Sequence, residues 1–442
     1  MLAWPARISR AIEGAWKAGL QPRPQLRSEY IVQAAIDRQG AEPKDGPWRD
    51  RLDWLCTALR HEAELNALGE ATAYGQLVRI VSSRIRAERL WREHPEILQR
   101  PIKAPVAIVG QMRSGTTRMH RLLACDPAFV HTRTFESLEP VPLDGWRRHV
   151  DPRPLAAFVG IGFLQRCNPV LAQIHPTTPF AVEEEFGLHA FSLWGAKFEA
   201  QWHVPSFVRR CEASDARDVY DDFARLLQTI GWNRGDDPAR TWLIKAPQFC
   251  QDLKVMIERF PDVRIVRLTR RSEDVVGSSA SLAWQQSRIQ SDRADPAVIG
   301  PEWLRKTALR ESRVREALSV FDGVRCDLDF EEVSADWRGA IRRLYGSLGM
   351  ALSSDVEARM AAILTRPAKH DGHRYALEDF GLDRTAVASA LASQEIVRVD
   401  IDCDSDFGAP VKSAKPIAND ILHVQLARGV DQNALAMATA KH

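Results

Sequence analysis

The sequence has little of what marks a secreted, zinc-binding or membrane-spanning protein. Its seven cysteines are scattered, odd in number and never arranged as C-x-x-C, which argues against a disulfide framework and against a zinc site. The longest apolar run, residues 155–164, is about half the length that a bilayer requires. Charges also interrupt the N-terminal stretch where a signal peptide would be apolar. We therefore expect a cytoplasmic protein without a transmembrane segment.

Neither sign of charge is in excess. The 442 residues include 60 lysines and arginines against 58 aspartates and glutamates, which gives a net charge of +2. A nucleic-acid partner is therefore not expected, and basic residues matter only where they cluster. A hydrophobic content of 45% and a charged content of 27% are those of a globular protein with a large core.

What the sequence does contain is a strand–loop–helix pattern over residues 105–123. The apolar run 106–109 predicts a buried strand, and the segment 110–117 predicts a tight loop. The apolar face of the helix that follows is formed by Met119, Leu122 and Leu123. Backbone N–H groups of such a loop and the positive end of its helix converge on one point, which makes an anion-binding unit.

This loop departs from a nucleoside triphosphatase loop at one position. Gly110 and Gly115 bracket four residues, as in a Walker A motif, but Thr116 stands where that motif has lysine. Such enzymes also need magnesium held by an acidic residue, whereas the two later predicted strands end in Lys245 and Arg270. Cations and hydroxyls therefore favour an anionic ligand that reacts without a metal.

A second anion site is predicted at the end of the strand over 263–269. Arg270 follows this strand, and Ser278 lies eight residues later on the next helix. The carboxyl ends of parallel strands carry the ligands in open α/β sheets, so this pair and the first loop would lie side by side. Two neighbouring phosphate sites indicate a ligand that is phosphorylated at two places.

The alternation of strands and helices predicts an α/β fold, with a P-loop-like central parallel sheet flanked by helices. A helical N-terminal region is expected over 1–100, with Gly69 as a helix C-cap, and the main domain over 101–400. The insertion at about 130–240 would form either an acceptor pocket or a structural lid with buried aromatics. Those aromatics are Trp146, Phe180, Phe186, Phe191, Trp194 and Trp202. The tail over 401–442 stays unassigned.

Taken together, these motifs resemble the PAPS-dependent sulfotransferases, particularly the bacterial branch and the related tyrosylprotein sulfotransferases. The segment RSGTT at 113–117 is similar to the family's 5′-phosphosulfate loop, and RRSEDVVGS at 270–278 to its 3′-phosphate motif. LIKAPQ at 243–248, DFEEV at 329–333 and HRYALEDFGLD at 373–383 are similar to further family segments. The resemblance extends over about 50–385 in consistent order.

The resemblance implies transfer of a sulfuryl group from 3′-phosphoadenosine 5′-phosphosulfate (PAPS) to a hydroxyl or amine, without a metal. The acceptor would be a small molecule, a lipid or a sugar. Arg113 would stabilise charge on the bridging oxygen, and Lys245 would be a second cation on the transferring group. The 5′-phosphate would be held by Ser114, Gly115, Thr116 and Thr117. The 3′-phosphate would be held by Arg270 and Ser278.

The acceptor also needs a base. Glu136 lies 23 residues beyond Arg113, close to the spacing of the glutamate that serves in the tyrosylprotein branch. The same residue could instead cap a helix or form a salt bridge. The open alternatives are Glu183, Glu184, Glu185, His175, His189 and His203.

Adenine recognition and two other functions stay open. Phe330 stands where related sequences usually carry tyrosine, so stacking on an adenine would survive but a phenol hydrogen bond would not. A P-loop kinase or NTPase would require magnesium-dependent ATP binding. A non-catalytic nucleotide-binding protein of the same fold would bind without turnover. The N-terminal helices could also form a homo-oligomer interface.

Overall fold

A central sheet of five parallel strands organises the fold. The computed structural model describes residues 3–144, 150–365 and 375–392, so the tail over 401–442 and Trp146 lie outside the described residues. The strands are β1 (Val106–Val109), β2 (Phe129–Val130), β3 (Thr241–Lys245), β4 (Arg264–Thr269) and β5 (Arg325–Asp329). Their order across the sheet is β2-β3-β1-β4-β5, and every pairing is parallel. The predicted fold class is confirmed.

The middle strand, β1, is an unbroken apolar run because it is buried on both faces of the sheet. All four of its residues are buried, because β3 and β4 flank it on either side and helices cover both faces. In the register, Ile108 pairs with Lys245 and Val109 with Arg267. The carboxyl ends of the three strands therefore lie at one edge of the sheet.

The helices follow the strands in chain order. Four precede the sheet: α1 (Ala3–Lys17), α2 (Ser28–Gln39), α3 (Trp48–His61) and α4 (Ala67–Glu93). Between β1 and β3 lie α5 (Thr116–Leu123), α6 (Thr134–Leu138), α7 (Arg153–Cys167), α8 (Pro169–Ile174), α9 (Phe186–Phe191), α10 (Ala196–Gln201), α11 (Pro205–Ala213) and α12 (Arg217–Arg234). The remainder are α13 (Phe249–Arg259), α14 (Ser272–Gln290), α15 (Pro296–Ser319), α16 (Phe330–Ala335), α17 (Trp337–Ser347), α18 (Ser354–Leu364) and α19 (Arg384–Ala392).

The N-terminal helices share a core with the sheet. Leu55 and Leu77, from the two apolar stripes of this region, belong to the same buried cluster as Ala107 and Val109 of β1. The prediction that Gly69 is a C-cap is wrong, because Gly69 lies in the first turn of α4 and its N–H is capped by Asn66. Glycine is required there because a Cβ would lie 2.2 Å from the carbonyl oxygen of Gln290.

Three of the six aromatics named for the insertion serve packing. Phe191, Trp194 and Trp202 are buried in the main core, which agrees with the structural-lid alternative for these three rings. Phe180 is different, because it is 62% exposed. Within the described part of the chain, no helix is both long enough and apolar enough to cross a membrane.

Candidate active site

The loop between β1 and α5 is held in a tight conformation. Gly115 has a φ of +88°, a region that side chains other than glycine rarely adopt. A Cβ at Gly115 would also lie 2.6 Å from the ring of Phe330. Ser114 donates through its hydroxyl to the carbonyl of Gln111 over 2.7 Å, which closes the turn. The first N–H groups of α5 have no partner within the helix, so this end can bind an anion.

Arg113 connects this loop to two other elements. Its Nε donates to the hydroxyl of Ser278 on α14 over 3.0 Å, and its Nη1 donates to the carbonyl of Ile174, the last residue of α8, over 3.3 Å. Burial lowers the pKa of Arg113, and the positive charge of Arg270 acts in the same direction. Such a desolvated guanidinium gains strongly from a bound anion.

Arg270 completes the same cluster from the end of β4. Its Nη1 donates to the backbone carbonyl of Arg113 over 3.0 Å, and its guanidinium lies 4.3 Å from the ring centroid of Phe330. Its Nη2 lies 3.5 Å from Oδ2 of Asp274, but its Nε is buried and has no hydrogen-bond partner among the described residues. An orphaned charged donor of this kind is costly, and an anionic ligand would satisfy it. The residues therefore fit a phosphate at this point.

Tyr375, in the described segment 375–392, holds α14 in place. Tyr375 donates through its hydroxyl to the carbonyl of Asp274 over 3.1 Å, in the first turn of α14. The ring of Tyr375 lies so close to Gly277 that a Cβ there would come within 2.7 Å of it. This contact fixes the part of α14 that carries Ser278.

Lys245 is buried rather than exposed, although it ends a strand. It is only 2% accessible, and its Nζ is paired with Oε1 of Glu184 and lies 3.4 Å from the hydroxyl of Thr117. Thr117, in the first turn of α5, donates to the same Glu184 oxygen over 2.9 Å. A cation, a hydroxyl and a carboxylate thus meet beside the loop.

Glu185 supports Lys245 from the other side. Its Oε2 accepts the backbone N–H of Lys245 over 2.7 Å, and its own N–H donates to the Lys245 carbonyl over 3.3 Å. Burial raises the pKa of Glu185 to about 8, although the hydrogen bond from Lys245 opposes this shift. The side chain therefore holds its proton to a higher pH than an ordinary carboxyl does, and it positions the end of β3.

Glu183 forms a different pair. Its carboxylate lies 3.1 Å from Nε2 of His175 and accepts from the hydroxyl of Thr177 over 3.0 Å. Burial on its own would raise its pKa, but His175 outweighs that effect and the pKa falls to about 2. The pKa of His175 is raised in turn: burial opposes the shift, and the charge of Glu183 overcomes it. His175, which directly follows α8, is partly exposed, whereas Glu183 is buried.

Glu136 has contacts typical of a structural residue. Its Oε2 accepts the backbone N–H of Arg133 over 2.9 Å, in a capping box that starts α6. Its Oε1 lies 3.5 Å from Nε of Arg234, and the side chain is buried. Burial raises the pKa of Glu136, while Arg234 opposes the rise. Both carboxylate oxygens are thus engaged away from Lys245 and Thr117.

The other two candidate histidines lie elsewhere. His189 packs among the rings of Tyr220, Phe223 and Phe249, and burial lowers its pKa to about 4. His203 lines a cavity of about 340 Å³ with Ser287, near the far end of α14. Since Ser278 lies nine residues earlier on that helix, this cavity is roughly 14 Å from the cluster around Arg113.

The ends of β1, β3 and β4 therefore bring together three cations, two hydroxyls and one carboxylate. These are Arg113, Lys245, Arg270, Thr117, Ser278 and Glu184. Sequence reasoning missed the carbonyl of Ile174 and the His175–Glu183 pair, and no local motif marks either one. The site and its sheet define an open parallel α/β protein with a cluster of cations and hydroxyls at the carboxyl ends of its strands.

The sequence also matches a known protein family. Residues 105–354 match the family model described as "Sulfotransferase family", which is more than half of the chain. The chain belongs to the sulfotransferase family.

Relatives agree in sequence and in fold. The omega-hydroxy-beta-dihydromenaquinone-9 sulfotransferase Stf3 of Mycobacterium bovis is 25% identical over 293 residues, which are 62% of this chain and 70% of that protein. The crystal structure of sulfotransferase STF1 from Mycobacterium tuberculosis superposes with a TM-score of 0.72 and 26% identity, over 82% of this chain and 98% of STF1. STF9 from Mycobacterium avium shares the fold, with a TM-score of 0.71 and 21% identity, over 83% and 95% of the two chains.

Proposed function

We propose that this sulfotransferase moves the sulfuryl group of PAPS to the hydroxyl of an apolar acceptor. One observation carries the choice of donor: Arg113 and Arg270 share a cluster with Ser278, and the Nε of Arg270 is a buried donor without a partner among the described residues. A nucleotide with phosphates at both the 5′ and 3′ positions would satisfy both halves of this cluster.

The 5′ end of the donor would occupy the loop. The N–H groups and hydroxyls of Ser114, Gly115, Thr116 and Thr117 would hold its phosphate at the positive end of α5. Arg113 would stabilise the charge that develops on the bridging oxygen. The 3′-phosphate would be bound by Arg270 and Ser278. Phe330, whose ring contacts Arg270, would lie beside the nucleoside.

Lys245 would act on the transferring group. In this structure its charge is neutralised by Glu184. A sulfuryl group beside Thr117 would give the ammonium a second anion, and this interaction strengthens as the bond to the 5′-phosphate breaks. The acceptor oxygen bonds to sulfur, the S–O bond to the phosphate breaks, and the products are a sulfate ester and 3′-phosphoadenosine 5′-phosphate (PAP).

The acceptor proton would go to Glu184. Its carboxylate is the one in contact with both Lys245 and Thr117, whereas Glu136 is engaged by Arg133 and Arg234. These contacts favour Glu184, one of the alternatives that the sequence left open, over Glu136. The role of Glu136 as base stays a prediction that its capping contacts do not support.

The relative Stf3 suggests the kind of acceptor. Its name gives a hydroxylated menaquinone derivative as its substrate, which is a lipid hydroxyl. We propose the same class of acceptor, an apolar molecule with a terminal hydroxyl, for this protein. We also place the reaction in the cytoplasm, which agrees with the six free cysteines of the described residues.

Transfer of label from [35S]PAPS in the presence of EDTA tests the proposal. A hydroxylated isoprenoid, a simple phenol and a monosaccharide are compared as acceptors, each with Arg113→Ala as the control for background. We expect labelled product with the isoprenoid and none with the variant. Activity that needs magnesium and ATP would instead favour a kinase, and binding without transfer to any of the acceptors would favour a non-catalytic protein.

A further inference from the structure

The helix α7 exposes apolar side chains that a globular protein normally buries. Leu155 is 63% exposed, Phe158 65% and Val159 56%. Phe163 and Leu164 are also among the exposed large apolar residues. These residues recur at helical spacing along one broad face, so the exposure is a continuous surface rather than scattered positions.

The composition of α7 makes this exposure unusual. Its sequence, RPLAAFVGIGFLQRC, is apolar on nearly all sides, and its buried residues are only Arg153, Ala157 and Cys167. A helix that is apolar all round is normally enclosed by protein or by lipid. Its 15 residues are about 22 Å long, too short to cross a bilayer. The helix can therefore lie on a membrane but cannot span one.

The charges around α7 favour an anionic surface as the occupant. No acidic residue occurs between Arg153 and Cys167, and Arg166 is exposed. α1 packs against the same helix through Trp4, whose ring centroid lies 5.4 Å from that of Phe163. On α1, Arg7 and Arg10 are exposed as well, while Lys17 is paired with Glu13 over 2.7 Å. Helices with an apolar face and a basic border bind the interface of anionic membranes.

The apolar surface also reaches the donor site. The chain runs from α7 directly into α8, and the last carbonyl of α8, that of Ile174, accepts from Arg113. On the other side of α7, Arg153 lies over the ring of Phe135, and Phe135 packs against the exposed Phe180. Two residues after Phe135, Ser137 of α6 donates through its hydroxyl to the backbone carbonyl of Glu184 over 2.6 Å. An acceptor that leaves a bilayer at α7 would thus arrive beside the loop between β1 and α5.

We propose that the exposed face of α7, together with Trp4 of α1, docks on an anionic lipid bilayer and admits a membrane-embedded acceptor to the site. This inference rests on the lipid acceptor of the proposed function, while the docking itself depends only on α7 and α1. Phe158 and Val159 enter the apolar layer, and the basic residues of α1 remain at the level of the headgroups.

Sedimentation of the full chain with vesicles tests the docking. Vesicles of phosphatidylglycerol and phosphatidylcholine are compared with vesicles of phosphatidylcholine alone. We expect binding to the anionic vesicles that weakens with salt. We expect Phe158→Gln/Val159→Gln to bind about tenfold more weakly, because two large apolar side chains no longer leave water. Leu98→Gln/Val320→Gln, two exposed apolar residues elsewhere, is the matched control and should bind as the wild type does.

Three outcomes would overturn the docking. The first is a wild type that does not bind anionic vesicles, and the second is a Phe158→Gln/Val159→Gln variant that binds them as tightly as the wild type. The third is a chain that light scattering shows to be a dimer and that this substitution converts to a monomer, which would mean that a second copy covers α7. A cooperative thermal unfolding transition followed by circular dichroism confirms that each variant is folded.

The same variant separates this inference from the proposed function. Sulfation of an acceptor embedded in anionic vesicles should fall in Phe158→Gln/Val159→Gln, while sulfation of the same acceptor in detergent micelles should be retained. If the wild type binds vesicles but does not bind PAP, the proposed donor is wrong and the docking stands. Equal loss of sulfation in vesicles and micelles would contradict a role of α7 in admitting the acceptor.

Discussion

The guanidinium of Arg113 donates from Nε to the hydroxyl of Ser278 over 3.0 Å. This bond joins the loop after β1 to the helix after β4, and the carbonyl of Arg113 accepts from Arg270 in addition. The residues of the two anion sites predicted from separate motifs therefore form one connected cluster. A substitution at one predicted phosphate site should also change the affinity of the other.

The first prediction concerns Arg270. We expect Arg270→Ala to weaken PAP about 30-fold, because a charge-assisted contact to the 3′-phosphate is lost. Adenosine 5′-phosphosulfate, which lacks that phosphate, should lose much less affinity. Calorimetric titration of both nucleotides measures the difference.

Arg271→Ala is the matched control for Arg270. Arg271 is the next residue and also contacts Asp274, but its side chain is largely exposed. We expect it to bind PAP as the wild type does. Equal losses for the two nucleotides in Arg270→Ala would refute the assignment of the 3′-phosphate site.

The second prediction concerns the pair of Lys245 and Glu184. Removing either partner leaves a buried charge, so Lys245→Met and Glu184→Gln should each lower the free energy of unfolding, by about 3–5 kcal/mol for a fully uncompensated charge. The double variant Lys245→Met/Glu184→Gln should be more stable than Lys245→Met alone, because no unpaired charge is left buried. Denaturant unfolding of the set measures the coupling.

Catalysis separates the roles of these two residues. On the folded fraction, Glu184→Gln should bind PAP normally and lose about 100-fold or more in kcat, as expected for a lost base. A Glu184→Gln variant that turns over at the wild-type rate would exclude Glu184 as the base.

The third prediction concerns Glu136. Glutamine at this position can still accept the N–H of Arg133 but cannot pair with Arg234, so Glu136→Gln should cost about 1–2 kcal/mol of stability. Its kcat should stay close to that of the wild type. A large loss of kcat with unchanged stability and PAP affinity would restore Glu136 as the base.

The fourth prediction concerns pH. The pKa of Glu185 is raised from 4.5 to about 8 in the folded protein by burial, so between these values the folded chain holds a proton that the unfolded chain has released. Stability from this group is complete at low pH and is lost as the pH rises towards 8. Between about pH 5 and about pH 8, the free energy of unfolding should therefore decline more steeply with pH for the wild type than for Glu185→Gln. The raised pKa of His175 contributes equally to the pH dependence of both proteins, so the difference between them reports on Glu185. Parallel curves of free energy against pH would contradict the prediction.

The sequence was informative wherever a local pattern has one structural solution. The apolar run of β1 and the glycines of its loop both depend on neighbours in the chain. The confirmed fold class followed from them. β2 was missed, because its two residues carry no periodicity.

Contacts between distant segments could not be read in the same way. Glu184 and Lys245 are separated by 61 positions, and nothing in either local sequence shows that their side chains meet. Glu136 was favoured by its spacing from Arg113, whereas its capping box depends on the start of α6. The run 155–164 was visible as apolar, but its exposure is a property of the folded chain.

The most direct test of the account is a thermal-shift titration with PAP in EDTA, beside ATP with magnesium. A ligand that binds the folded state raises the melting temperature with its concentration relative to Kd. We predict a saturable shift with PAP and a small or absent shift with ATP and magnesium. The PAP shift should require about 30-fold more ligand in Arg270→Ala but not in Arg271→Ala. A shift with ATP and magnesium and none with PAP would contradict the assignment of PAPS as the donor.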